Sequence, residues 1–482
     1  MKRFSGPAFP LREVTPQRET GRTIAEPARE IPVLAQCDVA VFGGGPAGVC
    51  AAAAAARHGA GVILVERQGF LGGMATAANV NLLHPLYGTD GATKTIGGLP
   101  EEFVRRLQAL DAVRNSDQDG ETGHWVFCSE KAKFVLDDMV LGGSARLLLH
   151  TALAGALADG RRVTAALVEG KSGREAIIAN TYIDCTGDAD LLRRLAAPTQ
   201  LGDGSGLCQA PSLCVRVSGV QPDAASFGQV QAELFADRMD YNLEPYPTFL
   251  WGSVGVWDGS ERMMAGTRVL KVNLADTLDL SRAEVEARYQ LRWVLGKLKQ
   301  IPGWQNAHLV DIATQIGPRE THRILADHQL TREDVLNGTP FPDAIAQGTY
   351  PIDIHCPDGP GISFEYLNGA TRHIAGDGGV TTGRWDGRPE GAPERDTLCY
   401  QVPFGSLVPQ GFENVLAAGR CIGATHHSAG AIRVMVNCMQ FGQAAGTAAA
   451  LTGADADVRS VTPRELREAL LQDGVPLLSQ AG

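Results

Sequence analysis

An α/β fold, with a Rossmann-type βαβ unit, a parallel sheet and an inserted mixed α+β part, is predicted by three observations. The first is Val39 to Glu66, VAVFGGGPAGVCAAAAAARHGAGVILVE, where an apolar strand, a glycine turn, an alanine-rich helix, a second strand and an acid follow in order. The second is a change of character from Gln209 to Tyr400, where tryptophans and alternating segments such as LCVRVSGV replace small-residue runs. The third is the return of the first character in ENVLAAGRCIGATHHSAGAIRVMVNCMQFGQAAGTAAALTG, an apolar strand, a glycine turn, a polar loop and a long small-residue helix.

Each part of the first unit has a physical task. Gly43 permits a tight turn out of the strand, Gly45 lets a pyrophosphate approach the backbone, and Gly48 lets the helix pack closely on the sheet. The unpaired N–H groups and dipole at the helix start favour a charged phosphate. Glu66, about twenty residues on, stands where a carboxylate accepts hydrogen bonds from a ribose diol. Strand, glycines, helix, second strand and acid in one unit predict a dinucleotide site.

The bulk properties set bounds. A chain of 482 residues exceeds the usual size for one core, so two packed domains are expected. The net charge of -11 argues against nucleic acid or an anionic membrane as partner. No apolar run approaches a membrane span, and MKRFSGPAFPLREV lacks the apolar core of a signal peptide. The ten cysteines include no CxxC pair; Cys37, Cys50, Cys185 and Cys438 lie in apolar or small-residue runs that suit buried thiols. These features predict a cytoplasmic protein.

Taken in order, residues 1–36 read as a surface arm that becomes ordered shortly before the first strand. After Glu66, the Gly-Gly pair of QGFLGGMAT lets backbone pass close to a flat ligand. TIGGLPEEFVRRLQAL opens a helix with Pro100 and two acids, and SEKAKFVLDDMVLGGSARLLLH reads as helix, glycine break and strand. RRVTAALVEG and REAIIANTYIDCTG read as paired strands, the second ending at Thr186, Gly187 and Asp188. A turn of small residues at a strand's carboxyl end is where such sheets place ligands. In SRAEVEARYQLRWVLGKLKQIPGW, Ser281 and Glu284 form a capping box and Pro302 stops the helix. The predicted division is an arm (1–36), a discontinuous dinucleotide-binding domain (37–208 and 401–453), a substrate or cap domain (209–400), and a C-terminal helix, PRELREALLQ, with a tail (454–482).

These pieces resemble the glutathione-reductase-like flavoproteins, which bind FAD. GGGPAG with Glu66, the TGD turn and the closing LAAGR…GQAAG helix occur in that family's order. Within it the chain is similar to the FAD-dependent oxidoreductases, on VERQGFLGGMAT, GPRETHRILADHQLT, YPIDIHCP and LAAGRCIGATHHSAGAIRVM. The resemblance implies that Gly43, Gly45, Pro46, Ala47 and Gly48 carry the pyrophosphate and that Glu66 and Arg67 meet the adenosine ribose. Gly72, Gly73, Met74 and Ala75 would lie along the ribityl and flavin edge, and Thr186, Gly187 and Asp188 against the adenosine half. Gly419, Arg420, Ile432, Arg433 and Val434 would meet the ribityl chain and flavin pyrimidine. Arg420 stands where many relatives carry aspartate. Relatives that attach FAD through a histidine place it just beyond the second strand; Met74 stands nearby here, which implies non-covalent FAD.

A flavin enzyme needs a base for the proton that accompanies a hydride, and histidine is the commonest. His426 and His427 lie in the loop after the GR turn. His355 follows Asp353 by two residues, so on a strand the carboxylate orients the imidazole. Arg319, in GPRETHRI, suits a bidentate grip on a carboxylate or polyol; His84 and Arg433 are further candidates. GxSxG is absent around Ser428, Cys421 lacks a redox partner, and no His/Cys spacing suggests a metal.

The leading expectation is an FAD-dependent oxidoreductase, dehydrogenase or oxidase, that removes hydride from a CH–OH carbon of a sugar, polyol or glycoside with a histidine as base. The alternatives are a fumarate-reductase-like reaction on a carboxylate, with Arg319, Arg323 and Arg433 in the site, and a flavin electron-transfer subunit. A second GxGxxG is missing, which leaves oxygen, a quinone or a protein carrier as electron acceptor.

Overall fold

The first strand runs Val33–Phe42, ten residues where the apolar run predicts four. Only Val39, Ala40, Val41 and Phe42 are fully buried. The earlier half is recruited by hydrogen bonding instead, because the strand pairs along its length with Gly173–Asp184. A side-chain pattern reports burial, and ladder pairing beyond the core leaves no trace in it. In this computed structural model the described residues are 15–16, 21–117, 122–236, 250–359, 361–376, 378–385, 387 and 397–478. Most of the predicted arm before residue 21, and the last four residues of the tail, lie outside them.

The main sheet has seven strands. Ala145–Leu148, Val62–Val65, Val33–Phe42 and Gly173–Asp184 lie parallel in that order. Arg162–Gly170 and Ala152–Asp159 continue it antiparallel, and Val415–Ala417 lies parallel to the last residues of Gly173–Asp184. Helix Pro46–Arg57, buried from Ala47 to Ala56, is sandwiched between this sheet and helix Met435–Leu451. Such close packing requires the glycines of the second helix. A Cβ on Gly442 would stand 2.0 Å from the Ala47 carbonyl oxygen, and one on Gly446 would stand 2.1 Å from that of Ala51.

Among the described residues between 209 and 400 there are two four-stranded antiparallel sheets. One has four strands in the order Trp251–Val254, Arg262–Ala265, Cys214–Ser218 and His308–Ile312, with its own apolar core. The other runs Ile352–His355, Ile362–Glu365, Ala370–Ile374 and Val380–Arg384. Strand Tyr400–Pro403 pairs with Ala344–Gly348 and leads the chain back. The long helix is Thr277–Leu298, which corrects the expected start and stop. Asp276 is the N-cap, accepting from the Leu278 and Asp279 amides, while the Ser281 hydroxyl donates to the Thr277 carbonyl inside the helix. Glu284 is committed elsewhere: its Oε1 accepts from the Ile316 amide at 2.6 Å. The helix also ends four residues before Pro302, in turns at Lys299 to Ile301. No helix among the described residues is long and apolar enough to cross a membrane.

Candidate active site

Two cavities meet at the carboxyl ends of the parallel strands. The first is walled by Gly43, Gly45, Glu66, Met74, Gly187 and Arg420, with further residues behind them. Gly43 has φ +97°, and a Cβ there would meet the Cys185 carbonyl oxygen at 2.4 Å, so only glycine allows the two strand ends to close. A Cβ on Gly48 would sit 1.7 Å from the Gly43 carbonyl oxygen. Gly45, the N-cap of Pro46–Arg57, is different: a Cβ there would have no protein atom within 4 Å. Turn and helix packing thus explain Gly43 and Gly48, while Gly45 fronts open space at a helix N-terminus, which fits a dinucleotide phosphate.

Glu66 is buried with its carboxylate braced, Oε2 accepting from the Gly44 amide at 2.6 Å and Oε1 from the Gln68 amide at 2.7 Å. Each oxygen keeps acceptor capacity for a ribose hydroxyl. The Thr186–Asp188 turn is built on Asp184, a residue the motif reading passed over. Its Oδ1 accepts from the Thr186 amide and hydroxyl at 3.1 and 2.7 Å, and its Oδ2 from the Leu191 amide at 2.9 Å. Burial pushes the Asp184 carboxyl up to about 6. Arg420 donates from Nη2 to Asp188 Oδ1 at 3.2 Å, its Nη1 is buried without a partner, and it borders both cavities. Helix Met435–Leu451 has no side chain capping its first amides, and Met435 also borders both. The donors, the braced carboxylate and the glycine cradle fit FAD.

Of the residues expected around the cofactor, Pro46, Ala47, Arg67, Gly73, Thr186, Asp188, Gly419 and Arg433 line this cavity too. Gly48, Gly72, Ala75 and Ile432 do not, and Val434 borders the second cavity. Sequence reasoning missed Thr151, Ala152 and Leu153, which follow strand Ala145–Leu148, and Leu280, Glu284 and Gln315 from the inserted part. No spacing rule carries that information, since these come from separate elements.

The second cavity, about 260 Å³, shares Met74, Pro318, Arg420, Arg433 and Met435 with the first. His84, Arg319, Tyr350, Asp353 and His355 face it, among apolar side chains. The period of two in Ile352–His355 places Asp353 and His355 on one face, with Nε2 3.3 Å from Asp353 Oδ1. His355 Nδ1 has no hydrogen-bond partner. Asp353 Oδ2 accepts from the Tyr350 hydroxyl at 2.8 Å and from Arg433 Nη2 at 2.9 Å. Burial alone would raise the Asp353 carboxyl; the Arg433 and Arg319 charges hold it below the usual carboxylate range. Burial, then the Arg319 charge, holds His355 well below the ordinary imidazole value. The imidazole is therefore neutral at pH 7, with Nε2 beside Asp353 Oδ1, which itself accepts no hydrogen bond, and Nδ1 without a partner.

His426 and His427 line neither cavity. The polar loop expected there is itself a short helix, His426–Ile432, capped by Thr425. Its start turns towards Glu320, whose carboxylate lies 2.9 Å from His426 Nδ1 and 2.6 Å from Arg323 Nη1. Arg323 is thus committed to an internal pair, and it is the other end of the short helix, at Arg433, that reaches the cavities. Ser428 and Cys421 are buried and hydrogen-bond to main-chain carbonyls.

A family model described as FAD dependent oxidoreductase matches residues 38–470. No curated protein matches the chain in sequence. Among solved structures, it is similar to a geranylgeranyl bacteriochlorophyll reductase-like protein from Thermoplasma acidophilum, at 11% identity, covering 91% of this chain and 82% of that one with a TM-score of 0.43. The flavin-dependent brominase Bmp2 matches at 13% identity, covering 90% and 83% with a TM-score of 0.44. OxyS, an anhydrotetracycline hydroxylase from Streptomyces rimosus, matches at 14% identity, covering 91% and 66% with a TM-score of 0.41.

Proposed function

Because this chain belongs to the family of FAD-dependent oxidoreductases, we propose that it oxidises a CH–OH carbon of a small polar molecule bound in the second cavity, with His355 as base. When bound, FAD supplies the two-electron acceptor for the C–H bond that breaks. We read the cofactor half as glutathione-reductase-like. Gly45, Pro46 and Ala47 hold the pyrophosphate, Glu66 the adenosine ribose, Gly187 the adenosine half, and Gly73, Met74 and Arg420 the ribityl and flavin edge. Met74 stands near the place where relatives that attach FAD covalently carry a histidine, so we read the FAD as non-covalent and released on acid precipitation.

The observation that carries this reading is His355. Asp353 stands 3.3 Å from one ring nitrogen, the other has no partner, and the ring is neutral. Such an imidazole accepts a hydroxyl proton at Nδ1 as the carbinol carbon becomes a carbonyl, and Asp353 stabilises the imidazolium that forms. His426, tied to Glu320, is less suited to that task.

The test is anaerobic bleaching of bound FAD by a panel of alcohols, sugars and hydroxy acids, in wild type and His355→Gln. The variant should keep its FAD and bleach about 10²–10⁴-fold more slowly with whichever substrate the wild type accepts. Bleaching of the variant at the wild-type rate would remove His355 from the mechanism. Oxygen uptake during turnover would separate an oxidase from a dehydrogenase that uses a quinone or protein carrier.

A further inference from the structure

The second cavity carries more positive charge than its own acids balance. Arg319 and Arg433 line it half-buried, Arg268 is fully buried beside Arg319, and among the described residues Asp353 is the one carboxylate in its wall. Asp353 is already engaged by Arg433, Tyr350 and His355. Neither Arg268 nor Arg319 forms an ion pair among the described residues. Arg319 donates from Nη1 to the Ala210 carbonyl and from Nη2 to Ser212 Oγ, the latter at 3.0 Å. Arg268 donates to the same Ser212 hydroxyl, and its Nε and Nη2 are buried without any partner. A guanidinium that is desolvated and unpaired is costly, and removing the charge by proton loss is not open to arginine as it is to lysine. Burial, with Arg268 and Arg433 adding to it, pushes Arg319 well below its ordinary value. The same cavity is lined by apolar Val80, Leu82 and Trp251.

We propose that this cavity takes its substrate as a carboxylate, gripped by Arg319 with Arg268 behind it, so that the substrate is a hydroxy acid with an apolar body. The inference rests on the preceding reading for the hydroxyl only; the carboxylate follows from the arginines. Planar guanidinium suits a carboxylate better than it suits a polyol, because two parallel N–H bonds meet two oxygens that carry the charge. The apolar wall accommodates a hydrocarbon remainder and leaves a sugar ring's hydroxyls without partners. Binding and basicity are then linked. The Arg319 charge is one of three causes that hold His355 low, with burial and the Arg268 charge, and a carboxylate on Arg319 offsets it. His355 becomes a stronger base only when an acid is in place, which protects the site from reacting with neutral alcohols of similar shape.

The experiment uses the FAD-loaded wild type and matched pairs of ligands: lactate against lactamide, mandelate against mandelamide. Binding is read by calorimetry and by the shift in Tm, independently of turnover. The acids should bind and the amides bind at least about 30-fold more weakly, as loss of a charged partner for a buried cation implies. Arg319→Gln should keep its FAD and lose the preference for acid over amide. A wild type that responds to acids and amides alike, or to neither, overturns the carboxylate. The wild-type pairs decide this even where the variant does not fold. Acids that bind without bleaching FAD would leave the carboxylate standing and remove the CH–OH reaction. Neutral alcohols that bleach FAD, beside acids that do not bind, would do the reverse.

Discussion

His355 is buried, touches Asp353 and stays uncharged, and that combination ties stability to pH at one residue. In the unfolded chain an exposed imidazole takes up a proton near pH 6.5. The folded protein refuses that proton until well below that value, so below pH 6.5 the unfolded state binds more protons. Stability from this group is therefore complete above pH 6.5 and is lost as pH falls, at about 1.4 kcal/mol per pH unit. His355→Gln removes the slope. Urea unfolding at pH 7.5 and 5.5 should show the wild type losing about 1.4 kcal/mol more than the variant over the interval below 6.5; equal losses would mean that His355 is protonated in the fold. His355 and Asp353 were legible in the sequence because a strand's period of two is a local rule. Tyr350 and Arg268 were not, since what matters in them is a contact made across the fold: Arg268 meets Ser212 from 56 residues away. Asp184 was hidden for another reason. It sits at the end of an apolar run and works mostly through main-chain amides, which no side-chain pattern reports.

At the scale of elements, the packing of Met435–Leu451 on Pro46–Arg57 sets where both cavities are, since one helix start lies at each. Gly442→Ala would drive a methyl into the Ala47 carbonyl and separate the helices. A loss of about 3 kcal/mol is expected from overpacking, with FAD content falling in step because Ala47 lines its cavity. Gly296→Ala is the matched control. It lies exposed inside Thr277–Leu298 with no atom within 4 Å of the added methyl, so the gain in helix propensity should stabilise by about 0.5–1 kcal/mol. Thermal unfolding of both variants, with the flavin absorbance recorded beforehand, checks the pair; a Gly442→Ala protein as stable as wild type would sink the packing account. The glycines and alanines of these helices made the helix pair readable from sequence. The elements that misled did so at their ends. Asp276 offered a cap one turn before Ser281, and Glu284 was drawn off by the Ile316 amide, so two acceptable caps competed and tertiary contact chose. The THHSAGAI segment looked like a loop because its histidines are polar, yet Thr425 caps it and Ala429, Ala431 and Ile432 bury its other face.

At the scale of the molecule, the cofactor cavity is where the two halves of the chain meet. Gly45, Glu66 and Gly187 come from the main sheet's loops, while Leu280, Glu284 and Gln315 come from the inserted part. A ligand there touches both, and it adds to folding by mass action, about 2.7 kcal/mol when free FAD is a hundred times its Kd. Stripping FAD should lower Tm, and restoring it should bring Tm back in proportion to the logarithm of its concentration. Gly45→Ala tests whether that gain runs through the glycine cradle. Its Cβ would meet no protein atom, and φ -71° and ψ -173° suit alanine, so the apoprotein should change by no more than about 1 kcal/mol, the cost of an alanine N-cap. The rise in Tm on adding FAD should shrink sharply, because the new methyl occupies the space in front of the helix start where a phosphate would sit. An apoprotein destabilised as much as Gly442→Ala would make Gly45 a structural glycine like Gly48. A full FAD response in the variant would move the phosphate elsewhere along the cavity, towards the unpartnered Nη1 of Arg420.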